Sequence, residues 1–294
     1  MDAFLPEDIS PQTTDEKPHP LLKYLKGFQA GYEFSELSPE EQSLSTEIID
    51  DFSYYIWLYQ DQTPGNWTKD GVERTLLIHY PRSLIHCEEY ILAVPIILSR
   101  FFAYCASDNQ MIGEEDLSDH MPALTTQYYC RMDESQYWGP RKAFIFLALA
   151  AGVDSSRDDA MSTFIYRFIQ NQVPGKDEQT ICSLTHVLYH WLFPFSDSKE
   201  LASLDPDFYR HCAPVISTLI KHLVIRSGIP PMEWTGADIS RSLTDHLIKS
   251  PDLENRQQYI VPILISFFTF LSKAQLQPHA DEICHVLASP DRKI

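Results

Sequence analysis

The stretch Trp67-Thr68-Lys69-Asp70-Gly71-Val72-Glu73-Arg74-Thr75-Leu76-Leu77-Ile78-His79 returns, in altered letters, as Trp234-Thr235-Gly236-Ala237-Asp238-Ile239-Ser240-Arg241-Ser242-Leu243-Thr244-Asp245-His246. The two copies lie 234 − 67 = 167 positions apart. The same offset carries Val94-Pro95-Ile96 onto Val261-Pro262-Ile263, and Ser99 and Phe101 onto Ser266 and Phe268, with no gap. Roughly a third of the aligned positions are identical, and a long fixed offset of this kind marks an internal repeat. It speaks of architecture rather than chemistry.

What repeats is a helix start. Thr68 and Thr235 are placed as N-caps, whose hydroxyls accept an unpaired N–H of the first turn. Trp67 and Trp234 precede them, and Val72 and Ile239 follow at the fourth helical position, the spacing of a hydrophobic staple. Asp238 completes a capping box in the second copy; Gly71 occupies that position in the first, which should start less firmly. Val72, Thr75, Leu76 and His79, like Ile239, Ser242, Leu243 and His246, then fall on one helical face. Pro95 and Pro262 sit in apolar runs. Each proline either kinks a long helix or opens one. The apolar density around both predicts helices buried all round, at the centre of the fold. Upstream, Ile48, Ile49, Phe52, Ile56 and Trp57 align with Val215, Ile216, Leu219, Leu223 and Val224. The repeated unit is three helices, over about 46–106 and 213–273.

Composition bounds the rest. The chain has 294 residues, 44% of them hydrophobic, and only ten glycines, which favours helices over a turn-rich β fold. A net charge of −18 argues against nucleic acid and against an anionic membrane surface. No uninterrupted apolar run reaches ~18 residues, so no spanning helix is expected. The N-terminus lacks a basic start and an apolar core, so it is no secretory signal. Six scattered cysteines without a Cys-x-x-Cys read as reduced, buried thiols of a cytoplasmic protein.

Residues 1–19 read as a disordered or loosely docked acidic arm. Ser38-Pro39-Glu40-Glu41 is a strong helix start. Further helices are expected from Glu114, over Ser135–Gly152, from Ser156 with Asp159, over Asp177–Leu192 and over His279–Leu287, with Phe193–Asp205 a loop. No segment alternates long enough to be a strand. The expectation is therefore an all-α protein of about twelve helices: one compact domain over 20–290, two pseudo-repeated three-helix units, and bridging helices over 107–212.

One pattern has the residue types of a metal site. Glu178, Cys182, His186 and His190 are spaced four apart on one predicted helix, and His-x-x-x-His puts two imidazoles on one face. Ile181, Leu184, Leu188 and Leu192 define the core side of that helix, which turns the histidines away from it. Their place late in the helix also suits its negative end. His79 and His246 read as core-edge histidines. Cys212 beside His211 diverges from it by ~100° and makes no nucleophile pair. No phosphate-binding, dinucleotide, nucleophile-elbow or zincin motif is present.

The order Trp-Thr, amphipathic helix, Tyr80-Pro81-Arg82, then Val94-Pro95-Ile96-Ile97-Leu98 and Phe101-Phe102 resembles a helical module of uncharacterised bacterial proteins, some of them similar to chains with a cysteine-rich SEC-C zinc tail. The residues that carry it are structural, and they cover about 45–106 and 213–273. The tail from His279 to Ile294 holds one cysteine, so the zinc role does not transfer.

The resulting expectation is a cytoplasmic, acidic helical protein that acts by binding a protein partner, as a scaffold or regulatory module, with no cofactor. Two alternatives are a metal-dependent enzyme using a divalent transition metal on the 178–190 helix, and a small-ligand protein with a pocket between the repeat halves.

Overall fold

The computed structural model describes residues 21–107 and 117–289. The arm at 1–19, the beginning of the helix expected from Glu114 and the end of the polar tail lie outside the described residues. Among the described residues the chain is all-helical, with sixteen α-helical segments and no strand. It divides into two compact units, Met1–Leu77 with His86–Cys130, and Ile78–Ile85 with Arg131–Ile294.

The first unit contains α1 (Leu21–Gln29), α2 (Tyr32–Ser35), α3 (Pro39–Gln60), α4 (Lys69–Arg74), α6 (Glu88–Ser107) and most of α7 (Met121–Asp133). Ser38 starts α3 as its sequence dictates. Its hydroxyl accepts the Glu41 N–H at 3.2 Å, and the Glu41 carboxylate accepts the Ser38 N–H at 2.8 Å. Ile48, Ile49, Phe52 and Ile56 of α3 are fully buried. Phe52 meets the Trp67 ring edge-on at 5.1 Å and Phe102 of α6 at 5.6 Å, so the indole before α4 is packed between the two long helices.

Pro95 lies inside α6, so it interrupts a helix rather than opening one. The expectation of burial all round is corrected: Val94, Ile97 and Phe101 are buried, but Leu92 and Ile96 remain 47% and 45% exposed. The expectation that no helix is long and apolar enough to span a membrane is also corrected. α6 passes by length and composition, with a mean hydropathy of 1.6, because isolated polar residues interrupt its apolar run without lowering the average enough. Half of that stretch is buried inside the protein, as in a core helix.

The second unit contains α5 (Tyr80–Ser83), α8 (Pro140–Ala150), α9 (Asp158–Gln172), α10 (Glu178–His186), α11 (Phe193–Ser196), α12 (Lys199–Ala202), α13 (Tyr209–Ile220), α14 (Gly236–Ser242), α15 (Gln257–Lys273) and α16 (Ala280–Ala288). Its core is built around Trp191 and Trp234, both fully buried and edge-to-face at 5.6 Å. The Trp234 indole donates to the Ile229 carbonyl at 3.1 Å, and the Gln277 amide donates to the Trp234 carbonyl at 2.8 Å. Pro262, like Pro95, lies within its helix.

Two expectations for this unit are corrected. The stretch after Leu192 is not a loop: Pro194 sits in the first turn of α11, and the Ser198 hydroxyl caps α12 by accepting the Leu201 N–H. Ser156 does not open α9, because its hydroxyl turns back to Asp154 at 2.6 Å and the helix begins at Asp158.

Four helices loosen into π turns, at Thr75–His79, Val187–Leu192, Lys221–Arg226 and Leu243–Leu247. Each carries a histidine: His79, His190, His222 or His246. The six cysteines are free thiols, but only Cys105 and Cys212 are buried, so the expectation of buried thiols is corrected for Cys87, Cys130 and Cys182, which are exposed.

Candidate functional site

The π turn at Val187–Leu192 decides the fate of the four-spaced ligand pattern. It adds a residue to the turn, so the buried side passes to Val187 and Trp191 while Leu188 is only half-buried. His186 and His190 stay neighbours, with ring centroids 4.9 Å apart, and His186 lies edge-on to Trp191 at 5.5 Å. Glu178 and Cys182 are exposed a turn and more away. Among the described residues, no three His, Cys, Asp or Glu side chains group as a metal ion would need. Burial lowers the affinity of both imidazoles for a proton, with a further push on His186 from His190, and burial raises the Cys182 thiol. Cys212 is no activated nucleophile either: burial pushes its thiol up to about 12.

The residues that do converge are others. The π turn after α13 and the π turn after α14 face each other across a cleft of about 350 Å³. His222 from the first lies flat on His246 from the second, with centroids 3.6 Å apart and planes at 30°. His222 Nδ1 is 2.8 Å from the hydroxyl of Ser242, which is completely buried. The two atoms share one hydrogen bond, whose direction follows the His222 tautomer. Burial holds His222 below the usual imidazole range, aided by His246 and Arg226 and opposed by Asp245. Lys221, Arg226 and Lys249 line the cleft, as do Asp245 and Asp252. The sequence reading missed this group because its cations are far apart in the chain. The available signal was the repeat itself: His79 is 1% exposed, while its counterpart His246 is half-buried and opens onto the cleft.

A second unusual surface is α8, which packs Ala148 and Phe144 inward. It buries Lys142 to 2% exposure and leaves Leu147 and Leu149 exposed at 45% and 47%. The Lys142 ammonium donates to the Pro81 carbonyl at 2.9 Å, and burial pulls it down to about 8. Gly139 donates its N–H to the Arg82 carbonyl at 2.9 Å. Arg82 in turn donates to the Ser196 carbonyl and lies 4.2 Å from the centre of the Tyr209 ring. Each cation thus satisfies carbonyls at the negative end of a helix, where a positive group is favoured.

Compared with known proteins, the chain matches no family model, no curated relative and no solved structure.

Proposed function

We propose that this protein is a helical binding module, a scaffold or regulator that engages a protein partner through the outer face of α8. The observation that carries this reading is the exposure of Leu147 and Leu149 on a helix that buries a lysine. The partner that fits is a helix with an apolar stripe and basic flanks, because the chain carries −18. A second copy of the same chain would be repelled by the same charge.

The reading draws also on the resemblance of the Trp-Thr modules to those of SEC-C-type bacterial proteins. It holds equally for a cytoplasmic setting. Both Trp-Thr copies begin with a buried indole and a threonine cap, which fits a single packing unit used twice.

The test is Leu147→Glu with Leu149→Glu. Both side chains are exposed, so the thermal midpoint should stay within about 2 °C. Proteins that co-purify with the wild type from native lysate should be lost from the variant. An identical set of co-purifying proteins from both would overturn the reading.

A metal-dependent enzyme remains the rival. It predicts stoichiometric transition metal in the purified protein, lost in His186→Ala and His190→Ala. Elemental analysis separates the two.

A further inference from the structure

We propose that the stacked imidazoles of His222 and His246 form an acid-sensitive latch: protonation of the pair parts the rings and widens the cleft between the π turns Lys221–Arg226 and Leu243–Leu247. The latch is separate from the docking face on α8.

The ring centroids are 3.6 Å apart and the planes 30° from parallel, so each imidazole covers a face of the other. Each ring sits in a π turn that ends its helix. The first turn runs into Gly228, whose φ of 67° is left-handed, and the second runs into the turn before Ser250. The two sides of these turns are held by different contacts. Leu223, Val224, Leu243 and Leu247 point inward and are buried in the core of the second unit. The imidazoles meet on the other side and border the cleft. Unstacking them breaks no apolar core contact, so the outer sides can part about the buried leucines as about a hinge.

Protonation loads this contact in two ways. The first is charge. On its own turn His222 is accompanied by Lys221 and Arg226. The facing turn presents His246 and Asp245, the residues after it Lys249, and the 3-10 turn at Pro251–Leu253 presents Asp252. Thr218 of α13 and Ser242 of α14 also approach, but neither titrates. α10 packs on the first π turn too and contributes no side chain to the cleft. His246 and Arg226 disfavour a proton on His222, and Asp245 favours one. Two protons on the pair put two positive charges at stacking distance, where partly buried charges repel strongly.

The second is the hydrogen bond to Ser242. A neutral His222 shares it in either direction, but a protonated ring can only donate. The fully buried Ser242 hydroxyl must then accept, and its own proton needs another partner. Swinging the ring out of the stack into water relieves both conditions. Histidine is the side chain whose charge changes in this pH range, and π turns concentrate at functional sites.

The experiment is carbon–proton NMR of the histidine-labelled full chain between pH 7.5 and 5.5, with amide exchange followed by mass spectrometry and corrected for its intrinsic rate. The ring-current shifts of His222 and His246 should collapse together as the pH falls. Ser227 and Ile248 donate their N–H groups to the His222 and Leu243 carbonyls. Protection of the segments that contain them should drop at least tenfold, while the buried centre of α15 stays protected. His246→Gln cannot carry the second charge, so His222 should titrate at a higher pH in that variant and both turns should stay protected at pH 5.5. His279→Gln should behave as the wild type. Ring-current shifts that survive the titration, or an equal loss of protection in His246→Gln, would overturn the proposal. So would a loss spread evenly over the chain, which marks global acid unfolding. The wild-type titration decides by itself if the variant does not fold.

Discussion

Gln62 does for the first Trp-Thr module what Asp238 does for the second. In the second, the Asp238 carboxylate accepts the Thr235 N–H at 3.2 Å and closes a capping box. In the first, Gly71 has no side chain to offer, and the carboxamide of Gln62 reaches back instead. Its oxygen accepts the Thr68 N–H at 2.9 Å, and its nitrogen lies 3.0 Å from the Thr68 hydroxyl. The glycine is part of this arrangement, because a Cβ at position 71 would fall 2.3 Å from that amide oxygen. Replacing Gln62 with Ala should therefore cost about 1 kcal/mol of stability. Gly71→Ala should destabilise the wild type by displacing the amide, yet stabilise a Gln62→Ala protein by up to about 1 kcal/mol, since glycine is otherwise poor in a helix. Gly71→Asp combined with Gln62→Ala should restore the box of the second module. Urea unfolding of the four variants tests this, and additive effects of the two substitutions would show that the amide does not cap. The sequence made the missing Asp visible, and with it a weaker start. It did not make the replacement visible, because a loop glutamine six residues upstream carries no local signature of capping.

α8 shows why an apolar run does not reveal its buried side. Over Ala143–Ala151 almost every residue is apolar, so the helical period selects no face, and packing has to choose. Here Lys142 is drawn in by the Pro81 carbonyl and lies 5.3 Å from the centre of the Trp138 ring, while Phe144 packs on Phe168 and Phe193. Once that side is inward, Leu147 and Leu149 are left outward. Lys142→Ala removes a buried stem and strands a carbonyl, and should cost roughly 2–4 kcal/mol. Lys142→Met keeps the volume and discards the buried charge. It should cost less than about 1.5 kcal/mol despite the lost hydrogen bond. A larger loss in Met than in Ala, measured by denaturant titration, would mean the ammonium anchors the helix more than its stem does. The folded lysine is pulled down to about 8, below its unfolded value, so the unfolded chain holds more protons between the two. Stability from this residue therefore rises as pH climbs above about 8, and Lys142→Met should abolish that rise.

At the scale of the whole chain, the titratable groups are arranged unevenly. His186, His190, His211 and His222 all belong to the second unit, and all four are held below the usual imidazole range, chiefly by burial. A histidine with a depressed folded pKa binds its proton more readily when unfolded. Its stabilising contribution is complete above the unfolded value of about 6.5 and is lost as pH falls through the folded one. The contributions share a sign, so the thermal midpoint should fall between pH 7.5 and 5.5. Over this range most carboxylates stay ionised, so the change is not due to relief of the −18 charge. His222→Gln should flatten the profile, because glutamine still pairs with Ser242 but does not titrate. His279→Gln serves as the control: that ring is 45% exposed beside Glu282. Scanning calorimetry at fixed ionic strength distinguishes the outcomes. An equal slope in wild type and His222→Gln would remove the stacked pair as a contributor, and a midpoint that rises on acidification would show that relief of net negative charge dominates instead. The stacked imidazoles thus link the two properties the sequence hid most completely, the site and the acid response, because both depend on π turns that bring separated helical positions face to face.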